Sequence, residues 1–355
     1  MRNLNDTITR LSALRGRIDG ASGAVGTDRL VDLLTFGSNP GALRGRCHLP
    51  EGLGANAPLV VVLHGCTQDA GGYDHGSGWS HLADEQGFAV LFPEQQRANN
   101  ANLCFNWFNA EDTRRGSGEP ESIRQMIVAM IAKHRLDPAR VYVTGLSAGG
   151  AMTSVMLATY PELFAGGAII AGLPYGTARS VPEAFDRMRA HGGPDAAALG
   201  GLVAAASDHQ GPWPRISVWH GDGDRTVSSA NAALVVEQWR GLHGVAKAPD
   251  RTESVDGHPR SVWRNAQGRD VIEEYRIAGL GHGTPLSTFG DDACGNAAPY
   301  MLEAGISSTR HIARFWGISD AVARPATKSQ AEPAQAPHGV TRVIEDALRA
   351  AGLMR

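Results

Sequence analysis

The sequence contains no apolar run that could cross a membrane. A spanning helix needs roughly 18 to 20 consecutive apolar residues, and no stretch of this chain approaches that length. The N-terminal segment also lacks the continuous apolar core of a secretory signal. We therefore expect no membrane span and a cytoplasmic location, with an extracellular location as the alternative if a signal has been removed.

Charge of one sign is also scarce. The 33 basic and 36 acidic residues leave a formal net charge of −3, and no basic run stands out. Because nucleic-acid binding depends on clustered Lys and Arg, we expect no nucleic-acid partner. Glycine, in contrast, is abundant, with 44 residues among 355. This content is typical of a soluble fold with many tight turns.

Cysteine is too scarce for a disulfide framework. The chain has four cysteines, and their spacing matches no zinc-binding pattern. We interpret them as reduced, buried thiols, and a pair between Cys66 and Cys104 is the alternative for an exported protein. Asp222 and Asp224 suggest calcium, but an EF-hand loop would need a glutamate where Ala233 stands. No metal or organic cofactor is expected.

The apolar pattern alternates between short strands and longer helices. Continuous apolar runs such as 59–63 are typical of parallel strands that are buried on both faces. The pattern predicts strands at 59–63, 88–92, 141–144, 168–171, 216–219, 261–264 and 271–277, and helices at 119–135, 228–242 and 307–316. We therefore predict an α/β fold, with a mostly parallel sheet covered by helices.

Composition divides the chain into segments. We predict an N-terminal helical appendage at 1–42, a catalytic domain at 43–318 with a small helical cap or lid insertion at 174–213, a flexible linker at 319–338 and a C-terminal amphipathic helix at 339–355. The linker follows from its Pro, Ala and polar content. The terminal helix is predicted to dock on its own domain, and binding to a partner or polyester surface is the alternative.

One hexapeptide, Gly-Leu-Ser-Ala-Gly-Gly at 145–150, carries the strongest chemical signal. It follows the predicted strand 141–144 and opens an apolar stretch, so Ser147 stands between a strand and a helix. This arrangement is typical of the nucleophile elbow of an α/β-hydrolase fold, where glycines let the two backbones approach closely. We predict Ser147 as the nucleophile.

A serine nucleophile needs a histidine base and an acid, which follow it in that order in α/β-hydrolases. Asp224 lies in a loop after the strand 216–219, and we favour it over Asp222, which could instead cap the turn. His282 follows the last predicted strand between two glycines. His220 is interpreted as structural.

Attack of a serine nucleophile on a carbonyl carbon also needs two donors for the developing oxyanion. We expect the backbone N–H groups of Ala148, directly after the nucleophile, and of Cys66, in the loop after the strand 59–63. A Cys66 nucleophile is disfavoured because that cysteine has no elbow. Among the aromatic residues near these loops, Trp107, Phe105 and Tyr175 are predicted to contact substrate.

Several linked motifs resemble the esterases of the polyhydroxybutyrate depolymerase family. They are LHGCTQDAGGYDHGSGW from Leu63, FPEQQRANNANLCFNWF from Phe92, VTGLSAGGAM from Val143, AGLPYG from Ala171, HGDGD from His220 and GLGHGTPL from Gly279. The resemblance implies a triad of Ser147, Asp224 and His282, with Cys66 and Ala148 in the oxyanion hole.

The resemblance also implies a substrate class. A serine carboxylesterase is expected to hydrolyse 3-hydroxybutyrate polyester or oligoesters, as well as short-chain or aryl esters, through an acyl-enzyme. The alternative is a feruloyl or acetylxylan esterase acting on plant polysaccharide esters. A non-catalytic protein that binds polyester granules is the distant alternative.

Overall fold

A ten-stranded sheet organises the protein, and its central strands are parallel. The computed structural model describes residues 28–319. The strands are β1 (Val31–Asp32), β2 (Arg44–His48), β3 (Leu59–Leu63), β4 (Ala89–Glu94), β5 (Val141–Leu146), β6 (Gly166–Ile170), β7 (Arg215–Gly221), β8 (Arg251–Val255), β9 (His258–Arg264) and β10 (Asp270–Ile277). The order is β1-β2-β4-β3-β5-β6-β7-β10-β9-β8. The strands from β4 to β10 in this order are parallel, whereas antiparallel strands complete both edges.

Helices cover both faces of the sheet. They are α1 (Ala70–Ser77), α2 (Trp79–Gln86), α3 (Gly118–His134), α4 (Ala148–Thr159), α5 (Val181–Met188), α6 (Ala196–Ala204), α7 (Ala230–His243) and α8 (Ser308–Trp316). Alternate residues of β3 enter two different cores: Val61 packs with residues of α3, α4 and α7, whereas Val62 packs with residues of α1, α2 and α8. The continuous apolar runs therefore reflect burial on both faces, and the predicted α/β-hydrolase architecture is confirmed.

The helices and strands predicted from the apolar pattern are present, with ends shifted by a few residues. The pattern missed α1, whose sequence AGGYDHGS is rich in glycine and therefore a poor helix former. This helix begins because the Asp69 carboxylate accepts the Gly72 N–H at 2.7 Å. A small second sheet of β11 (Thr284–Leu286) and β12 (Met301–Glu303) was also missed.

The predicted start of the catalytic domain at residue 43 is too late. β1 pairs with β2, with Val31 opposite Cys47, so the sheet already includes residues of the supposed appendage. Residues 1–27 of the predicted helical appendage, the predicted linker from residue 320 onward and the predicted helix at 339–355 lie outside the described residues. Within 28–319, no helix is both long and apolar enough to span a membrane.

The predicted insertion at 174–213 contains the two helices α5 and α6. It is attached to α7 through side-chain amides: Gln238 bonds the backbone of Tyr175 at 2.8 and 3.0 Å, and Asn231 donates to the Arg187 carbonyl at 3.0 Å. The insertion thus packs on the helix that follows β7, and a lid function stays a prediction.

Candidate active site

Ser147 lies at the sharp turn between β5 and α4. Its backbone has φ 58° and ψ −116°, a conformation that costs free energy for a residue other than glycine and is typical of a nucleophile elbow. A Cβ on Gly149 would lie 2.2 Å from the Leu63 carbonyl oxygen, and one on Gly145 would lie 2.5 Å from Gly149. Glycine is therefore required on both sides of the serine.

The structure brings Asp224 and His282 together. Asp224 follows β7 and His282 follows β10, and His282 Nδ1 donates to Asp224 Oδ2 at 2.7 Å. These two strands and β5 are parallel, so all three predicted triad residues emerge at the carboxyl edge of the sheet. The His282 side chain is 9% exposed and that of Asp224 is fully buried. This contact selects Asp224 over Asp222 as the partner of His282.

Asp222 instead supports the histidine loop. Its Oδ1 accepts the Gly279 N–H at 2.6 Å, and the Gly223 N–H donates to the Leu280 carbonyl at 3.0 Å. The Asp222 carboxylate thus bonds a different loop instead of capping its own turn, and it joins the acid loop to the segment that carries His282.

His220 is the residue that sequence reasoning undervalued. It is buried on β7, and its Nε2 lies 3.0 Å from the Val227 carbonyl and 3.3 Å from Asp224 Oδ2. Since a carbonyl only accepts, Nε2 must carry the hydrogen and point it toward both oxygens. The spacing of four residues between His220, near the end of β7, and Asp224, in the loop that follows, was the sequence signal for this contact.

Donors surround the Asp224 carboxylate. Oδ1 accepts the N–H groups of Thr226 and Val227 at 2.8 and 2.9 Å, and Oδ2 faces His220 and His282. Burial alone would raise the pKa of Asp224, but the hydrogen bonds from the two histidines and the backbone hold it well below its usual range. Asp224 is therefore a charged group that can stabilise a protonated His282.

The loop after β3 presents the predicted oxyanion donors. Gln68 Oε1 accepts the Gly65 N–H at 2.9 Å, and the Asn102 carbonyl accepts the Thr67 N–H at 2.7 Å. Among the hydrogen bonds of residues 28–319, none uses the N–H of Cys66 or of Ala148. Both predicted donors are thus available to a ligand, and Ala148 stands at the N-terminus of α4, where the helix dipole favours negative charge.

His64 fixes the same loop as a neutral group. Its Nε2 accepts the Gln95 N–H at 3.1 Å, so Nδ1 carries the hydrogen and donates to the Gly65 carbonyl at 2.8 Å. The side chain is fully buried, and burial lowers the pKa of His64. A structural role agrees with this environment.

Cys66 and Cys104 form a disulfide, with their Cα atoms 4.2 Å apart. The interpretation of all four cysteines as reduced thiols is therefore wrong for this pair, because the loop after β3 and the loop 99–109 meet in the folded chain. Cys47 and Cys294 are free and buried, as expected. A disulfide also removes any thiol nucleophile at Cys66, so the rejected cysteine alternative stays rejected.

The predicted substrate-contacting aromatics are mainly core residues. Phe105 is fully buried with its ring 5.0 Å from that of His64, so its predicted substrate contact is wrong. Trp107 is only 7% exposed and packs edge-on against Phe108. Tyr175 is half-buried and donates its hydroxyl to the Thr113 carbonyl at 3.0 Å. The sequence shows that these aromatic residues lie near the site loops, but only the tertiary structure shows which rings face inward. Contacts from Trp107 and Tyr175 stay predictions.

A buried carboxyl group holds the loop 99–109 in place. Glu119, at the start of α3, accepts hydrogen bonds from the Asn106 N–H and amide at 2.8 and 2.7 Å and from Gln95 at 2.6 Å. Burial, reinforced by nearby Asp112, raises the pKa of Glu119 to about 8. The loop that carries Cys104 and Trp107 is thus anchored by a group whose neutral form is favoured near neutral pH.

Elbow, oxyanion loop and acid–histidine pair together define the class of the protein, a serine-type α/β-hydrolase. Within residues 28–319, no cluster of His, Cys, Asp and Glu could hold a metal ion. An elbow serine, unpaired N–H donors and an acid–histidine pair are the groups that nucleophilic acyl transfer requires.

The comparisons identify the family. A family model described as "Esterase PHB depolymerase" matches residues 46–257. The chain is 48% identical to "Poly(3-hydroxyalkanoate) depolymerase C" of Paucimonas lemoignei over 81% of this chain and 70% of that protein. The chain thus belongs to the polyhydroxybutyrate depolymerase esterase family, and it is a carboxylic ester hydrolase.

Acetylxylan esterases are also relatives. The chain is 30% identical to an "Acetylxylan esterase" of Coprinopsis cinerea over 73% of this chain and 70% of that protein. In structure it is similar to the acetyl xylan esterase from Aspergillus awamori, with a TM-score of 0.69 and 25% identity over 82% of this chain and 99% of the other. The family therefore includes enzymes named for two kinds of ester substrate.

Proposed function

We propose that the protein is a serine carboxylesterase that hydrolyses 3-hydroxybutyrate polyester and oligoesters. The observation that carries the catalytic part is the 2.7 Å hydrogen bond between His282 and Asp224 at the sheet edge where Ser147 forms its elbow. The substrate class is supported by the 48% identity to a poly(3-hydroxyalkanoate) depolymerase.

The proposed reaction has two steps. Ser147 Oγ attacks the ester carbonyl carbon while His282 Nε2 takes the hydroxyl proton, and Asp224 stabilises the imidazolium. The N–H groups of Cys66 and Ala148 hold the oxyanion. As the tetrahedral intermediate collapses, the C–O bond to the alcohol breaks and His282 returns the proton to the leaving oxygen.

Water completes the cycle. His282 takes a proton from the water as its oxygen attacks the acyl-enzyme carbonyl, and the bond to Ser147 Oγ then breaks with the proton returned to the serine. Each turnover consumes one water and releases one alcohol and one carboxylic acid. For an ester of 3-hydroxybutyrate units, both products are hydroxy acids or their oligomers.

The direct test compares the parent protein with Ser147→Ala on p-nitrophenyl butyrate and on amorphous polyhydroxybutyrate. We expect the substitution to lower kcat by roughly 10⁴-fold or more, because the nucleophile and its base act as a unit. A matched Ser154→Ala control removes a buried hydroxyl of α4 that bonds the Leu173 carbonyl at 2.8 Å, away from the triad. Unchanged hydrolysis by Ser147→Ala would overturn the catalytic assignment.

The second candidate is an esterase for acetylated or feruloylated polysaccharide. It is favoured by the fold similarity at a TM-score of 0.69 to an acetyl xylan esterase. Product analysis on amorphous polyhydroxybutyrate, acetylated xylan and methyl ferulate separates the two. Release of hydroxybutyrate without acetate or ferulate supports our proposal, and the reverse pattern supports the second candidate. Binding to polyester granules without release of any acid would favour the non-catalytic alternative.

We also propose that the protein works in an oxidising compartment, in place of the cytoplasmic location expected from the sequence. The support is the Cys66–Cys104 disulfide, because such bonds persist mainly outside the reducing cytosol. Acid quenching of intact cells followed by thiol alkylation under denaturing conditions tests the idea. Alkylation of Cys47 and Cys294 alone supports an oxidising compartment, whereas alkylation of all four cysteines contradicts it and supports a cytoplasmic location.

A further inference from the structure

Tyr300 has an unusual backbone beside the catalytic histidine. It directly precedes β12 and has φ +64°, a left-handed conformation that is costly for a bulky L residue. Its side chain is only partly buried. Such strain in a partly exposed aromatic residue persists where the surroundings enforce it, and it is concentrated at functional sites.

Two contacts enforce the position of Tyr300. Its carbonyl accepts the Thr284 N–H at 2.8 Å, and the pairing of Thr284 with Met301 in the small sheet aligns the segments that carry His282 and Tyr300. A Cβ on Gly283 would lie 2.7 Å from the Tyr300 carbonyl oxygen, so the two segments are in close contact. The Tyr300 ring consequently lies 6.1 Å from the His282 ring, at 77° to it.

The same segment also reaches the oxyanion loop. Gln68 donates from Nε2 to the Pro299 carbonyl at 3.4 Å, while its Oε1 accepts the Gly65 N–H at 2.9 Å. One side chain thus links the loop of the oxyanion donors to the residue before Tyr300. The segment 299–300 therefore lies between the oxyanion loop and the catalytic histidine.

The location of Tyr300 matters because the leaving alcohol must lie close to His282. His282 Nδ1 faces Asp224, so the opposite nitrogen, Nε2, must deliver the proton to the departing alcohol oxygen. The alcohol part of the ester consequently lies close to the His282 ring during acylation, and the Tyr300 ring packs edge-on beside this histidine at 6.1 Å.

We propose that Tyr300 forms one wall of the subsite for the alcohol part of the ester and thereby favours bulky alcohols, such as the next hydroxyacyl unit of an oligoester. This inference rests on the proposed function for its mechanism and extends it to substrate selection. The flat ring contacts the methyl and methylene groups of the leaving unit, and its contribution ends when the alcohol has departed.

Tyr300→Asn tests the wall, because asparagine tolerates the left-handed backbone and lacks the ring. The substrates are two pairs that share an acyl group within each pair. The first pair is methyl and benzyl butyrate, and the second is methyl 3-hydroxybutyrate and the linear 3-hydroxybutyrate trimer, for which cleavage of the hydroxyl-terminal ester bond is measured because it forms the same 3-hydroxybutyryl enzyme. We expect kcat/KM to fall roughly 10-fold or more for the bulky alcohol of each pair, and by less than about 3-fold for the methyl ester. Tyr300→Phe should keep the parent's ratio of kcat/KM between the two members of each pair, because the aromatic ring and not the phenol hydroxyl forms the wall.

Phe289→Ala is the matched control, since it removes a 78% exposed aromatic ring from the same connection between β11 and β12. This control should leave kcat/KM unchanged for all four substrates. Pre-steady-state kinetics adds a second readout: Tyr300→Asn should slow acylation by bulky esters and leave deacylation of the shared acyl-enzyme unchanged.

Equal losses on both members of each pair, or slowed deacylation, would assign Tyr300 a supporting role for His282 and overturn the subsite. Unchanged kinetics in Tyr300→Asn would overturn it as well. If the parent protein leaves the hydroxybutyrate trimer intact, the proposed substrate fails, while the butyrate pair still tests the subsite.

Discussion

The two halves of the active site are held by different forces. The oxyanion half is fixed by the Cys66–Cys104 disulfide, by neutral His64 and by Glu119, whose pKa of about 8 favours the neutral form. The acid–base half is fixed by the carboxylate of Asp224, which donors from both sides keep charged. Covalent and neutral contacts thus hold the predicted oxyanion donors, whereas charged hydrogen bonds hold the acid and histidine that we propose for proton transfer.

The largest expected effect lies on the acid–base half. Asp224→Asn should lower kcat roughly 10⁴-fold, because an amide stabilises the wrong tautomer of His282 and cannot balance the imidazolium charge. The control Asp222→Asn can still accept the Gly279 N–H and should stay within about 3-fold of the parent. Steady-state kinetics on p-nitrophenyl butyrate measures both, and similar losses in the two variants would contradict the assignment of the acid.

His220 tests whether the donors around Asp224 matter for catalysis. His220→Leu removes the 3.3 Å contact with Asp224 and should lower kcat about 10-fold, the usual cost of one lost hydrogen bond to a charged group. His220→Gln offers an amide donor in a similar position and should restore most of the loss. If both variants fall equally while their thermal midpoints match the parent, the donor has no role.

The disulfide should matter less for the rate than for stability. The double variant Cys66→Ser with Cys104→Ser frees a loop whose ends are 38 residues apart, which should lower the free energy of unfolding by about 4 kcal/mol. We expect kcat to fall only several-fold, because His64 and Gln68 still hold the loop. Urea titration and kinetics check both values, and the parent treated with reductant should match the variant. An unchanged unfolding midpoint would contradict the structural role.

The smallest effect is a difference in pH response. Since the pKa of Glu119 is raised from 4.5 to about 8, its contribution to stability is fully present below about pH 4.5 and is lost as the pH rises through 8. Raising the pH from 5 to 9 should therefore cost roughly 2–4 kcal/mol of stability through this group. Glu119→Gln should flatten that dependence in urea titrations at pH 5, 7 and 9. An equally steep slope in the variant would exclude Glu119 as its source.

Asp224 acts in the opposite direction. Because its pKa is lowered, its contribution is present above the unfolded value of about 4 and is lost as the pH falls. The oxyanion half should consequently weaken in alkali and the acid–base half in acid. This contrast is the sharpest test of the comparison between the two halves.

Several features of the site could be predicted from the sequence because they depend on only a few neighbouring residues. The elbow at Ser147 needs glycines on both sides, and this requirement is visible in the hexapeptide itself. The choice of Asp224 over Asp222 was weaker, because both residues occupy one loop and only the contact with His282 separates them. The aromatic residues were the least predictable, since the run around Phe105 does not reveal which rings face the core.

The sequence by itself determined the α/β class, the elbow and the order of nucleophile, acid and base, because periodic burial and tight turns act over a few neighbouring residues. Only the tertiary structure decided the disulfide, the second histidine on Asp224 and the position of Tyr300 beside His282. Each of these contacts depends on how separate loops converge at the carboxyl edge of the sheet, and sheet order, unlike local periodicity, is not encoded in any single segment.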